Sequence, residues 1–321
     1  MEPAQTLYNQ TATHFTLPLF VRKDTEVEGR VIADLAETFL STLLFPGTQV
    51  TALHTKRPGM GAKLNMGPFT DSRWKAAQKK ILNNDYAVVS LEAGTPDFPN
   101  QKIWFTAHVN PIGRDERIGA GTWKVMCSVS YLRHLAASPA KVEALLQLAK
   151  QAWDETPGGP AYGYGHLAIT LARPIFDPRT PSPPGALPWE FINPPAERVH
   201  AVPIAYGGND IELNLEPLYV QDHGIKGAFW ANFLSAAYVD MAGGQALLKS
   251  KLNGMRVEPL QHGGLLVVAT DSPLPEDTND TRERFWRLDE ALQPAFISRE
   301  QATEMKRGML GYFYRERPPL R

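Results

Sequence analysis

The stretch DHGIKGAFWANFLSAAYVDMAGG, residues 222–244, places three large aromatic rings within five positions of one another. Asp222 is a suitable N-cap at its start, and the Gly243-Gly244 pair is a suitable helix stop at its end. Only Lys226 and Asp240 carry charge between them. Apolar residues recur every four positions, which is typical of one helix face: Ile225, Phe229, Phe233 and Ala237. We therefore predict that residues 222–244 form a core helix in the C-terminal half, buried on nearly all sides.

Working outward from this stretch, segments with apolar and polar residues in alternation predict β-strands. The three strands between residues 86 and 131 follow one another through short connections that contain Gly or Pro, which favours antiparallel pairing. The last two predicted strands form a hairpin around Gln261-His262-Gly263-Gly264. The predicted strands are 15–23, 86–92, 102–109, 122–131, 162–171, 256–260 and 265–270.

Helices are predicted where apolar residues follow helical spacing and capping residues precede them. Asp280 with Glu283 and Ser298 with Gln301 form capping-box patterns. Residues 54–69, rich in Gly, Pro and Lys, are predicted to be a surface loop. The fold class is therefore α+β, a mainly antiparallel sheet flanked by helices. The predicted helices are 32–43, 71–82 after Thr70 or Asp71, 139–153, 245–253, 280–292 and a terminal helix from Ser298 through Met309.

The clearest change of composition is a proline-rich segment with eight prolines between Pro174 and Pro195. Its aromatic residues need packing partners, so we interpret it as an ordered surface excursion between two halves of one domain. That domain spans residues 1–321, with a subdivision near 157–195. Residues 173–222 hold seven carboxylates against three arginines, a net charge of −4.

Stiff loops lose little entropy on binding, and aromatic anchors dominate interface energies. The acidic proline-rich segment, residues 173–222, is therefore our candidate contact surface for a protein partner. The alternative is that it is an ordinary surface loop without a binding role. The candidate contact residues are Asp177, Trp189, Glu190 and Glu197.

Composition narrows the functional class. The net charge of −1 over 321 residues argues against a nucleic-acid binder that relies on a basic surface. No apolar stretch approaches 18 residues and no signal-peptide pattern begins the sequence, so we expect a cytoplasmic protein without a membrane span. The lone Cys127 excludes an intrachain disulfide and is interpreted as a buried, inert thiol.

No pattern in the sequence predicts catalytic, cofactor-binding or metal-binding residues. The eight histidines lack ligand spacing such as H-E-x-x-H, and no phosphate-binding glycine motif or nucleophile elbow is present. A metal pair between His108 and His166 is the alternative to structural histidines, which we prefer. We expect no cofactor, no metal and no catalytic residue, and hence a binding protein that is not an enzyme.

Four segments in order resemble the type VI secretion immunity family, over residues 160–295. They are YGYGHLAI from Tyr162, GIKGAFWANFL from Gly224, the Gly243-Gly244 pair, and GGLLVVATDSPLPEDTND from Gly263. The resemblance implies a cytosolic protein that binds a cognate type VI toxin stoichiometrically and protects the producing cell and its siblings. It supplies no family-wide functional residues to place on this chain.

The mechanism that we expect is masking of the toxin's active site. If the acidic proline-rich segment takes part, a nuclease or another toxin with a basic cleft is the expected partner. Two alternatives stay open: a hydrolase-like enzyme that reverses a toxin's modification, and a structural protein of the secretion apparatus. The sequence also leaves open whether the chain forms a homodimer.

Overall fold

A computed structural model describes residues 11–12, 14–22, 25–57, 65–86, 88–95, 98–108, 122–170, 187–188, 201–203, 210–211, 224–225, 228–275, 278–296 and 312–314. Its strands in chain order are β1 Thr11–Ala12, β2 His14–Phe20, β3 Gln49–Lys56, β4 Asn65–Pro68, β5 Val88–Thr95, β6 Phe98–His108, β7 Thr122–Ser128, β8 Tyr162–Thr170, β9 Leu187–Pro188, β10 Ala201–Pro203, β11 Asp210–Ile211, β12 Ala231–Leu234, β13 Arg256–Pro259, β14 Leu265–Val268 and β15 Tyr312–Tyr314.

The described residues include seven α-helices, four of them before β8 and three after it. They are α1 Gly29–Thr42, α2 Asp71–Leu82, α3 Val129–Ala136, α4 Pro139–Glu155, α5 Ala236–Met241, α6 Gln245–Lys251 and α7 Asn279–Leu292. The α+β class predicted from the sequence is confirmed.

One large sheet organises the fold. Its strand order is β13-β14-β12-β8-β2-β7-β6-β5-β3-β4, with β11 also paired to the far end of β8. Every pairing between these strands is antiparallel. The first long strand, β2, lies in the middle, because Phe15 pairs with Cys127 on one side and Leu167 on the other. The sheet is thus continuous from the N-terminal strands to the C-terminal ones.

The two parts of the sheet differ in burial. In β5, β6 and β7 buried residues alternate with half-buried ones, so one face packs on a core and the other is partly open. In β12 and β14 all residues are buried. Helices link to the sheet through stacked rings: Phe39 of α1 on Phe105 of β6 at 5.5 Å, and Trp153 of α4 on Phe233 of β12 at 6.2 Å.

The predicted core helix over 222–244 is wrong, although its end was located correctly. The structure has strand β12 between β8 and β14, followed by the short helix α5. A strand that is buried on both faces has no polar alternation, so its apolar run imitates a buried helix. The Gly243-Gly244 pair does stop α5, with φ of 95° and 90°.

Three further differences concern boundaries. The predicted loop over 54–69 contains the end of β3 and all of β4, while 58–64 lie outside the described residues. The predicted strand 122–131 ends at Ser128, whose hydroxyl accepts a hydrogen bond from Tyr131 N and opens α3. Thr278, not Asp280, caps α7, since its hydroxyl accepts from Thr281 N at 3.1 Å. The predicted terminal helix from Ser298 lies outside the described residues.

The other predicted helices are confirmed, and their packing shows why they start where they do. Thr70 caps α2 by accepting from Arg73 N. A close approach joins α1 to the end of α2: a Cβ on Gly29 would lie 1.8 Å from the carbonyl oxygen of Ile81. The amide of Gly29 also donates to Asn84 Oδ1 at 2.8 Å. Only glycine allows this contact between the two helices.

Candidate functional site

The candidates for covalent or metal chemistry are not assembled into a site in the part of the chain that the structure describes. Cys127 is 1% exposed in β7, and burial raises the pKa of its thiol well above the usual range. Among the described residues, no group of three or more His, Cys, Asp or Glu side chains lies together in a way that could hold a metal ion.

The His108 and His166 pair is not brought together. His108 is on β6 and His166 on β8, with β7 and β2 between them. Neighbouring strands are about 4.8 Å apart, so three spacings put the two backbones about 14 Å apart. Metal–nitrogen bonds are about 2 Å long. The structure therefore places the two residues on strands that are not neighbours.

A charged network connects α4 with β13. Arg256 contacts Glu143 and Glu258 at 2.5 Å each, and Lys150 contacts Glu258 at 2.8 Å. Hydrogen bonds from Arg256 and then Gln147 lower the pKa of Glu143 to about 2. The carboxylates are already satisfied by cations, so the network stabilises the junction of helix and hairpin and leaves little charge for a ligand.

The four contact residues predicted from the sequence, Asp177, Trp189, Glu190 and Glu197, lie outside the described residues. Their role in binding a partner stays a prediction. Within this segment the structure describes short strands only, namely β9, β10 and β11.

A second candidate lies at the β4 edge of the sheet, where α2 lies against β3 and β4. A cavity of about 150 Å³ opens between them. We call it the basic pocket and define it by six lining residues: Leu53, Thr55, Asn65, Arg73, Lys80 and Tyr86.

Two cations of the basic pocket are held in place by neighbouring groups. Arg73 Nη1 donates to the carbonyl oxygen of Pro68 at 3.0 Å. A Cβ on Gly67 would lie 1.8 Å from that nitrogen, so the guanidinium packs directly on the strand backbone. Lys80 Nζ lies 5.8 Å from the centre of the Tyr86 ring, and that tyrosine is buried. The spacing of Arg73 and Lys80, seven residues apart, puts both on one face of α2.

The basic pocket was missed in the sequence, although half of its signal was visible there. The run RWKAAQKK from Arg73 to Lys80 has four cations and no carboxylate. The other wall is formed by β3 and β4, which were partly assigned to a loop. Without that hairpin, the basic run is indistinguishable from an ordinary solvated helix face.

Comparisons with known proteins support the fold. A solved structure titled as the Pseudomonas aeruginosa T6SS (type VI secretion system) protein PA0821 matches with a TM-score of 0.54 and 15% sequence identity. The match covers 89% of this chain and 73% of that chain. At this identity the likeness shows a shared fold alone. No protein-family model matches the chain, and no curated protein matches it either.

The structure also bears on membrane insertion. Within the described ranges, no helix has both the length and the apolar composition that crossing a bilayer requires.

Proposed function

We propose that this chain is an immunity protein that binds a cognate type VI secretion toxin stoichiometrically and masks its active site. The observation that supports this most is that a resemblance in motif order and a fold match both involve type VI secretion proteins. Residues 160–295 resemble the type VI immunity family in motif order, and the whole fold matches a structure titled as a T6SS protein over 89% of the chain.

In this proposal the protein works as a binder without turnover. Cys127 is buried in a strand, and the charged network on α4 and β13 pairs its own members. Protection over a cell lifetime needs a dissociation constant near nanomolar, about −12 kcal/mol. An interface of about 1,600 Å² supplies that when it includes a few buried anchors. The acidic proline-rich segment is our proposed contact surface for a toxin with a basic cleft.

The test is co-expression with the toxin encoded beside this chain's gene. We expect survival of the cells, a purified complex with one to one stoichiometry, and toxin activity that returns once toxin exceeds this chain. Replacing Asp177, Glu190 and Glu197 with the matching amides should weaken the complex. Replacing Asp240 and Glu290, which are exposed and lie outside that segment, should leave it unchanged.

Three results would point elsewhere. Full protection at a tenfold excess of toxin would favour an enzyme that reverses the toxin's modification. A secretion defect with intact self-protection, when this gene is deleted, would favour a structural protein of the apparatus. A toxin that stays lethal and forms no complex would contradict the immunity function.

A further inference from the structure

We propose that the basic pocket between α2 and the β3–β4 hairpin binds a carboxylate side chain from an acidic segment of a protein partner. This inference rests on the proposed function only for the identity of that partner, a type VI toxin. It adds a second contact surface, which lies at the β4 edge of the sheet and is opposite in charge to residues 173–222.

The segments that form the basic pocket have a net positive charge. Residues 49–57 and 65–86 contain six cations and two carboxylates, Asp71 and Asp85, so their net charge is +4. The whole chain has a net charge of −1. These two segments are therefore much more basic than the chain as a whole. The six cations are Lys56, Arg57, Arg73, Lys75, Lys79 and Lys80.

Among the described residues, no carboxylate forms an ion pair with these cations. Elsewhere, cations form ion pairs, as Lys102 does with Glu92, Arg256 with Glu143, and Arg284 with Asp280. Arg73 and Lys80, the two cations that line the basic pocket, lie on one face of α2, so both would attract a carboxylate that entered.

The geometry of the basic pocket also supports the proposal. Arg73 gives one hydrogen bond to the Pro68 carbonyl, and a guanidinium has five N–H donors in a planar fork. The guanidinium is thus fixed against β4, and among the described residues its other N–H groups have no acceptor. A carboxylate is the group that a guanidinium binds through two parallel bonds. Lys80 supplies a second charge from the same helix face, and Thr55 and Asn65 line the opposite wall.

The size and surroundings favour a protein over a nucleic acid. A cavity of about 150 Å³ holds one group about as large as benzene, which suits one acidic side chain. Single-stranded nucleic acids stack on exposed aromatic rings, whereas Trp74 and Tyr86 on this surface are buried. Met66 on β4 is 66% exposed, and methionine and arginine are both enriched at protein interfaces.

The edge of β4 is poorly suited to pairing with a strand of the partner. The carbonyl of Pro68 is occupied by Arg73, and a proline has no N–H to offer an added strand. The side-chain pocket therefore carries the recognition.

The experiment uses the full chain and two fluorescein-labelled 12-residue peptides, one alternating Glu with Thr and one alternating Gln with Thr, at 50 mM salt. A 12-nucleotide single-stranded DNA is the third probe. We expect the acidic peptide to bind in fluorescence polarisation with a dissociation constant below 1 mM. We expect at least tenfold weaker binding for the Gln peptide and for the DNA.

Variants then locate the binding. Arg73→Gln with Lys80→Gln should weaken acidic-peptide binding at least tenfold, whereas the matched pair Lys249→Gln with Lys251→Gln on α6 removes the same charge and should change it less than twofold. Gly67→Ala keeps every charge but displaces the Arg73 guanidinium, so it should weaken binding about as much as Arg73→Gln. Thermal melts of each variant identify any loss of folding.

The outcomes separate this inference from the proposed function. The inference would be overturned if the acidic peptide did not bind at 1 mM, or if the Gln peptide bound equally well. It would also be overturned if the Arg73/Lys80 and Lys249/Lys251 variants lost binding equally, or if the DNA bound more tightly than the acidic peptide. If the toxin complex forms, is unaffected by the Arg73 and Lys80 substitutions, and the acidic peptide does not bind, the inference about the basic pocket is wrong and the proposed immunity function stands. Peptide binding at the basic pocket without any toxin complex would contradict the proposed function alone.

Discussion

Asn232 is a polar residue at the centre of the buried strand β12. It is completely buried, and its side chain bonds both backbone groups of Phe229, accepting from the N–H at 3.0 Å and donating to the carbonyl at 2.8 Å. The side chain of Asn232 thereby provides hydrogen-bond partners for the backbone of Phe229, just before β12 begins. A buried polar group left without a partner costs about 1–3 kcal/mol.

We therefore predict that Asn232→Ala lowers the free energy of unfolding by about 2 kcal/mol, because two hydrogen bonds to the backbone of Phe229 are lost. Urea denaturation measures this change. Asn253→Ala, at an exposed position, is the control and should stay within about 0.5 kcal/mol of wild type. Equal stabilities for the two variants would contradict the role of Asn232.

Glu143 gives a prediction on pH. Arg256 and Gln147 lower its pKa to about 2, whereas an unfolded-state glutamate titrates near 4.3. A lowered folded-state pKa contributes stability above about pH 4.3, and this contribution is lost as the pH falls to about 2. The side chain is 44% exposed, so solvent screening limits the contribution to about 1 kcal/mol or less.

Glu143→Gln should therefore lower stability at pH 7 and flatten its decline between pH 4.3 and pH 2. Urea midpoints at pH 7 and pH 3 measure both effects. Glu290→Gln, which changes an exposed carboxylate on α7, should keep the decline of the wild type. An unchanged decline in Glu143→Gln would show that the ion pair does not contribute.

At the scale of elements, the junction of α1 and α2 makes a prediction from packing. A methyl group on Gly29 would lie 1.8 Å from the Ile81 carbonyl oxygen, so the helices must separate. Alanine gains about 1 kcal/mol of helix propensity over glycine, but such a clash costs about 1–3 kcal/mol or more. We expect Gly29→Ala to lower the thermal midpoint in calorimetry.

Arg30→Ala is the control for this junction, because it changes the next residue of α1 while only an exposed pair with Asp34 at 3.8 Å is lost. Its midpoint should stay close to that of the wild type. A gain of stability in Gly29→Ala would mean that the two helices approach less closely than the structure describes.

Whether a strand could be predicted from the sequence depended on how many of its two faces are buried. Strands β6 and β7 show one buried and one half-buried face, so period-two alternation identified both as strands, although the predicted strand 122–131 ran past the end of β7 at Ser128. Strand β12 is buried on both faces, and its apolar run was interpreted as a helix. Strand β4 shows the opposite problem, since it is mostly exposed and contains Gly67 and Pro68, which are typical of loops.

The same reasons explain the candidate sites. The basic face of α2 was visible in the sequence, but the basic pocket needs β3 and β4 as its second wall, and part of that wall was assigned to a loop. The register and order of the strands decide which of them lies against α2, and no local sequence pattern predicts this. The proline-rich contact surface, by contrast, rests on composition alone and stays a prediction.

At the scale of the whole molecule, the ladder between β2 and β8 joins the two parts of the sheet. Phe15 is completely buried there and meets Trp230 edge to face at 5.8 Å. Because the sheet is continuous, we predict that both parts unfold together. Phe15→Ala should lower the free energy of unfolding by about 3–5 kcal/mol, the usual cost of such a truncation.

Hydrogen exchange followed by mass spectrometry checks this prediction. In Phe15→Ala, exchange should accelerate in peptides from β7 and from β12 alike, whereas Met66→Ala at an exposed position should change neither. Acceleration restricted to peptides before residue 157 would mean that the two parts are independent folding units.

The order of strands could not have been predicted from local patterns. β2 pairs with β7, more than 100 residues later, and with β8, which follows later still. Short connections did indicate that β5, β6 and β7 are neighbours, but nothing in the sequence marks β2 as the strand that lies between them and β8.

This position of β2 has a consequence for synthesis. A nascent chain that has emerged only as far as β7 exposes the bare outer side of β2, with the main-chain groups that Leu167 and His166 later bind. Truncated translation products that stop before Thr170 should therefore stick to one another or recruit chaperones. Expression of fragments should be more successful when they extend beyond Val268, where the last central strand is complete.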